Sequence, residues 1–257
     1  MKILLIGDII GRPGRQAVAA LLPDLRHQYE IDLVVANGEN TAGGIGLTPP
    51  IALELYNLGV DFITSGNHIW KHREIIPYLD NGEFPILRPL NYPPKVPGRG
   101  YLIKDDVMVV NLEGRVFMGD LDCPFRAMDQ LLDEIEPKPK VILVDFHAEA
   151  TSEKGAMGMY LDGRVSAVVG THTHVGTVDA RVLPGGTAFV TDIGMVGPRD
   201  SVIGDEAENI IERFLTQTPQ KFTVGRDPVR FNSVLVETDD TGRAVDIKRI
   251  DTEFSGR

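Results

Sequence analysis

Near the start of this chain, continuous apolar stretches of strand length alternate with stretches whose apolar residues recur at helical spacing. Residues 2–7, KILLIG, form the first run, and residues 12–28 follow with Val18, Leu21, Leu22 and Leu25 on one helical face. The pattern repeats as strand 32–36, helix 49–58, strand 61–64 and helix 73–79. Such alternation implies crossover connections and a mainly parallel buried sheet. Further on, strands 101–104 and 107–112 flank Asp105 and Asp106, which predicts a hairpin. Helix 125–135, strand 141–146, helix 152–161 and strand 167–170 then resume the alternation. Short strands at 180–183, 187–190, 230–237 and 244–250 follow, joined by Gly, Pro and Asp turns and interrupted by a helix over 206–215. The expected fold class is α/β, with two mixed sheets packed face to face and helices outside. With 42% apolar content, the 257 residues suit one such core and are few for two, so 1–257 are expected to form a single domain. Residues 91–100, rich in Pro and Gly, are expected to be a surface loop, and 255–257 to fray.

Composition narrows the function classes. No apolar run approaches the roughly 20 residues needed to cross a bilayer, and the apolar opening reaches Asp8 too soon for a secretory signal. A cytoplasmic protein without membrane contact is the expectation. Cys123 is the only cysteine, so neither an intrachain disulfide nor a thiolate cluster can form. Any metal would have to bind His, Asn and carboxylate. A formal charge of −11 argues against strong non-specific nucleic-acid binding, which needs Lys and Arg to neutralise phosphates. A small nucleotide or phosphodiester partner remains open, as does self-association.

The chemistry-bearing residues fall just past the strand C-termini. The first strand ends in Gly7-Asp8, the second in Asn37-Gly38-Glu39-Asn40 and the third in Ser65-Gly66-Asn67-His68. Strand 141–146 ends at His147, and strand 167–170 runs into Thr171-His172-Thr173-His174. In an open α/β sheet, ligands bind outside the carboxyl ends of the strands, so these loops should converge on one crevice. The convergent carboxylates, amides and imidazoles suit Mn, Fe or Zn. Two ions about 3.5–4 Å apart with a bridging carboxylate would use nearly all of these groups. Asp8 and Glu39 supply −2 against roughly +4 from two divalent ions, so the site would stay cationic and attract phosphate.

Taken singly, most of these residues have plain structural readings. Asp8 could cap a helix, Glu39 and Asn40 could be solvated loop groups, Asn67 could make an Asx turn and His147 could be a hydrogen-bonded core residue. His172 and His174 differ, because an i, i+2 pair just past a strand can serve two ions separately. The glycines of 42–46, including Gly43 and Gly44, could cradle phosphate through backbone amides. Gly194 and Ser201 lie in a Gly-, Pro- and Ser-containing stretch fit for a pocket rim. His27 and His72 are expected at the surface.

The loops GDIIG, NGEN, GNHIW and GTHTH resemble the signatures of the calcineurin-like metallophosphoesterase superfamily. Three positions depart from it: Ile10 stands where that pattern has a His, Glu39 where it has the bridging Asp, and Ile69 where it has an acid. These departures, together with DFHAE and with GMVGP followed by DSVIG, resemble the YmdB-like branch over essentially the whole chain. The resemblance implies a four-layer αββα sandwich and two metal ions, iron or manganese, with zinc as an alternative. It implies one ion on Asp8, Glu39, Asn40 and His174, and the other on Glu39, Asn67, His147 and His172, with Asn40 replacing the coordination lost at Ile10. The implied activity is hydrolysis of cyclic nucleotides (2′,3′ or 3′,5′) by in-line attack of bound hydroxide, with His68 as the general acid. Alternatives are a phosphomonoesterase such as a nucleotidase, and a metal-binding regulatory or RNA-associated protein whose catalysis is residual.

Overall fold

A computed structural model describes residues 1–80, 82, 84–226 and 228–256; the expectation for Arg257 lies outside them. In chain order the elements are β1 (Lys2–Ile6), β2 (Asp8–Ile9), α1 (Gly11–Tyr29), β3 (Leu33–Asn37), α2 (Pro49–Asn57) and β4 (Phe62–Thr64). A 3-10 turn (Arg73–Ile75) leads into α3 (Ile76–Asp80), and β5 (Tyr101–Lys104) and β6 (Val107–Glu113) form the hairpin. Next come α4 (Pro124–Glu134), β7 (Val141–His147), α5 (Thr151–Tyr160), β8 (Ala167–Thr171), β9 (Arg181–Val182), β10 (Ala188–Val190) and β11 (Met195–Pro198). The chain closes with α6 (Ala207–Thr216), β12 (Val229–Phe231), β13 (Ser233–Thr238), β14 (Ala244–Arg249) and β15 (Thr252–Phe254). No helix of the described residues is long and apolar enough to cross a membrane.

Two large mixed sheets carry the architecture, one ordered β14-β13-β1-β3-β4 and the other β5-β6-β7-β8-β10-β9. Ile3, Leu5, Val35 and Phe62 of the first face Val109, Leu143, Val169 and Val190 of the second in one buried cluster. The alternate residues of the same strands point outwards. Leu4, Ile6 and Val34 pack with Val18, Leu22 and Leu55 of α1 and α2, and Val110, Val144 and Phe146 pack with Met128, Leu132 and Met157 of α4 and α5. Period-two alternation between two apolar faces thus yields the four layers αββα. The β5–β6 hairpin turns on Asp105 and Asp106 at φ 50° and 65°, the positive pair that a two-residue turn of this hand requires.

A third, small sheet, β15-β12-β11-β2, extends the two that were expected. The expected strand 2–7 breaks at Gly7, where a Cβ would lie 2.0 Å from the Gly194 carbonyl oxygen. Only glycine lets the chain leave the first sheet there, so that Asp8 and Ile9 pair with Met195 and Val196 instead. The expected strand 230–237 likewise splits at Asn232 into β12 and β13, which belong to different sheets.

Candidate metal centre

The inter-sheet space changes character along its length. Inward positions of β7 run Val141, Leu143, Asp145, His147; those of β8 run Ala167, Val169, Thr171; those of β3 run Leu33, Val35, Asn37. Every one is apolar until the last layers, where Asn37, Thr64, Asn111, Asp145 and Thr171 form a buried polar floor. Asp145 is its hub, accepting from Thr64 at 2.5 Å, from Thr171 at 2.7 Å and from Asn37 at 3.3 Å. Burial nevertheless pushes the Asp145 carboxyl up to about 6, against the pull of these hydrogen bonds.

On this floor the structure gathers Asp8, Glu39, Asn40, Asn67, His68, His147, His172 and His174. His147 Nε2 lies 3.1 Å from Glu39 Oε1, 3.2 Å from Asn67 Oδ1 and 3.0 Å from His172 Nδ1. Ligand atoms of Glu39, His147 and His172 all fall within 4.8 Å of one another. On the other side of Glu39, His174 Nε2 lies 3.6 Å from Asp8 Oδ1 and 3.2 Å from Asn40 Nδ2. Gly66 permits this crowding, since a Cβ there would sit 2.3 Å from His147 Nε2 and 2.6 Å from Glu39 Oε2.

Each histidine has an acceptor on its outer nitrogen, which fixes the inner one as a lone pair. Thr171 donates its only hydroxyl proton to Asp145, so at 2.9 Å it must accept from His147 Nδ1–H. His174 donates through Nδ1 to the Ile203 carbonyl at 2.7 Å. His172 sets its Nε2 3.1 Å from the Glu149 carboxylate. With these tautomers, lone pairs of His147, His172, Asn67 and Glu39 point at one another, an arrangement that needs a cation or protons between them. Asp8 reports the same demand: Oδ2 accepts the His172 backbone N–H at 3.1 Å, while the buried Oδ1 has no hydrogen-bond partner among the described residues. The donor set therefore fits divalent cations. It does not fit a helix cap at Asp8, because α1 begins after Ile10 without a side-chain cap.

The electrostatics follow from burial and these contacts. Burial pushes Asp8 up, yet His174 and His147 hold its carboxyl well below the usual range; Glu39 is lowered against its own burial by His147 and His68. Burial disfavours charge on His147, but Glu39 and Asp8 lift it to about 9; His174, opposite Asp8, also rises to about 9 against its burial. Burial and the neighbouring His147 drive His172 down to about 3. His68 is lowered by burial, only partly offset by Glu39. Its Nδ1 contacts Asn40 Oδ1 at 2.9 Å, and its side chain is 28% exposed, against 0% for His147.

The remaining candidates are placed differently. Gly43 (φ 69°) has open space where a Cβ would stand, and Gly44 (φ 98°) turns beside Val224. Gly194 (φ 97°) is buried, gives its carbonyl to the Asp8 N–H at 3.0 Å, and would drive a Cβ to 2.6 Å from Asn232 Oδ1. Ser201 is committed to its own turn, donating to Pro198 O and accepting from Gly204 N–H. Gly194 and Ser201 of the expected rim are thus both engaged in local backbone and turn contacts. Gly197 and Gly204 of the same stretch leave no room for a Cβ beside Ile10, at 2.8 Å each, and Ile10 is buried where a histidine was lacking.

Two supports escaped the sequence reading. Thr171 and Asp145 were legible in principle, because inward phase along 141–147 places a buried Asp two residues before His147. The pair Lys154–Asp192, 2.6 Å apart and 1% exposed on both sides, was not legible, since it depends on how α5 meets the chain after β10. Asp192 also accepts the Thr173 N–H and hydroxyl, clamping a segment whose flanking His172 and His174 sit at the unfavourable φ of 98° and 62°.

Comparisons with known proteins agree with this architecture. A 2′,3′-cyclic-nucleotide 2′-phosphodiesterase of Bacillus subtilis is 47% identical over 97% of this chain and 96% of its own. The crystal structure of a hypothetical protein from Thermus thermophilus superposes with a TM-score of 0.92 at 47% identity, covering 98% of this chain and 99% of that one. That of a novel phosphatase from Mycoplasma pneumoniae also gives 0.92, at 33% identity, covering 98% and 93%. The family described as YmdB-like protein matches residues 4–250. The chain belongs to the YmdB-like protein family.

Proposed function

We propose that the chain is a dinuclear metal-dependent phosphodiesterase acting on cyclic nucleotides of the 2′,3′ class. The observation that carries this reading is the convergence of lone pairs from His147, His172, Asn67 and Glu39 beside the unpartnered Oδ1 of Asp8. Asp8, Glu39, Asn40 and His174 would hold one ion, and Glu39, Asn67, His147 and His172 the other. The activity named for the Bacillus subtilis relative supports the substrate class. Iron or manganese suits this set of nitrogen and oxygen donors, with zinc the alternative.

Divalent cations bound there would polarise the phosphate oxygens and acidify a water, the two things that diester hydrolysis needs most. The protein's own residues do the rest. Glu39, reaching both halves of the cluster, would fix the spacing between the ions. Asn40 Oδ1 orients His68 through Nδ1, which leaves Nε2 as the nitrogen that would act on the substrate. Glu39 Oε1, 3.4 Å from His68 Nδ1, stabilises the imidazolium once Nε2 takes up a proton. When the P–O2′ bond breaks, Nε2–H delivers that proton to the ribose oxygen while water supplies the oxygen added at phosphorus. The lowered pKa makes His68 a stronger acid and a less populated one, so turnover should fall as pH rises above its value.

His68→Ala tests the reading. Elemental analysis should show both ions retained, while cleavage of a 2′,3′-cyclic nucleotide falls by about two orders of magnitude or more. Undiminished cleavage would remove His68 from the mechanism. The phosphatase named among the structural relatives keeps a monoesterase reading alive, and higher turnover on a terminal phosphate than on the diester would favour it.

A further inference from the structure

On the far side of the 88–92 segment from the cluster, the structure contains a groove of about 970 Å³ between α4, the β5 edge and residues 88–101. That volume is at the upper end of what small-molecule sites enclose. Arg88, Arg99 and Arg126 converge on it, with Tyr92, Tyr101 and Leu131 supplying apolar wall. Asp122 and Glu134 also reach its rim. Among the described residues, none of the three arginines has a carboxylate within ion-pair distance, whereas Arg15, Arg26, Arg164, Arg199 and Arg249 each do. Arg88 is the unusual member: it is 6% exposed, spends Nη1 on the Pro89 and Leu90 carbonyls, and leaves a buried Nε with no partner among the described residues. A buried guanidinium whose counter-charge, Asp80, stands beyond ion-pair distance is costly unless something anionic completes it, and burial lowers its pKa against the pull of Asp80.

We propose that this groove is a second binding site, separate from the metal centre, for an aromatic anion of the nucleotide class. Arg99 and Arg126 at the rim and Arg88 at the base take the phosphate, since guanidinium matches its geometry. The rings of Tyr92 and Tyr101 with Leu131 take the base. Specific contacts link the groove to the centre. Tyr92 packs edge-on against Trp70, ring centroids 5.6 Å apart, and Trp70 is two residues beyond His68. Asn91 exchanges two hydrogen bonds with the backbone of Glu113, at 2.8 and 2.9 Å, and Glu113 is the register partner of His147. A ligand that orders Asn91 and Tyr92 therefore acts on the loop that carries His68, which gives the site a regulatory use.

The inference does not depend on the phosphodiesterase reading, because binding is measured directly. Titration calorimetry of adenosine 5′-monophosphate into the manganese-loaded protein should show two classes of site. The exposed pair Arg99→Gln/Arg126→Gln should weaken one class about tenfold or more, the loss of charge-assisted hydrogen bonds. It should leave cleavage of bis(4-nitrophenyl) phosphate without added nucleotide within about twofold, whereas His68→Ala should leave the groove class intact. A single class of site, displaced by inorganic phosphate and unchanged in the arginine pair, would overturn the proposal. Equal weakening by Arg181→Gln, an exposed arginine on β9, would also overturn it, as a bulk charge effect.

Discussion

The two ends of the inter-sheet layer share strands, register and pleat, yet they do opposite work. At one end Ile3, Leu5, Val35, Leu143 and Val169 close an apolar seam between the sheets. At the other, one pleat further along β7 and β8, Asp145, His147 and Thr171 occupy equivalent inward positions and are just as buried. The apolar end gains from removing surface from water. The polar end must satisfy every lone pair it buries, and the cluster of Asp8, Glu39, Asn67, His147, His172 and His174 cannot do so alone. The same fold thus stores stability at one end and an unsatisfied demand for positive charge at the other.

Substitutions can break or sharpen that contrast. The largest effect is expected at Glu39→Gln, which should lose both ions together, read by elemental analysis of reconstituted protein; two ions still bound would remove its bridging role. At the apolar end, Leu143→Ala should cost about 2–5 kcal/mol in denaturant unfolding while metal stoichiometry in the folded protein stays unchanged. Thr171→Val keeps volume but removes the acceptor that fixes His147 Nδ1–H, so metal affinity should fall about 10–100-fold in chelator competition. Thr171→Ser should restore it, which a merely structural loss would not predict.

The pH dependence of the metal-stripped protein gives a subtler test. His147 and His174 rise from 6.5 to about 9 in the fold. A raised histidine contributes stability that is complete below about pH 6.5 and lost as pH climbs through 9. Thermal midpoints of the stripped protein should therefore decline across that window. The metal-loaded protein should be spared, because cations replace those protons and bind more tightly as the histidines deprotonate.

Much of this contrast was readable from residues alone, and the reason is local. Strand periodicity placed the layers, and the polar clusters at Asp8, Glu39, Asn67, His147 and His172 fell at strand ends because a parallel sheet brings those ends to one edge. What escaped depends on contacts far apart in sequence. The break at Gly7 is dictated by the Gly194 carbonyl, and β11 and β15 are too short to show a period of their own. Gly194 and Ser201 had the composition of a pocket rim, but the structure uses Gly194 to back Asp8 and Ser201 to close a turn. Of the outer partners of the histidines, Thr171 was within reach of strand phase, whereas Glu149 and the Ile203 carbonyl appear only once the chain is folded.

Metal content per chain, measured after anaerobic reconstitution with iron or manganese and removal of loosely bound ions, tests the central claim most directly. Two ions per chain, falling to none on Glu39→Gln, is the predicted result. One ion or fewer in fully folded wild-type protein would contradict it.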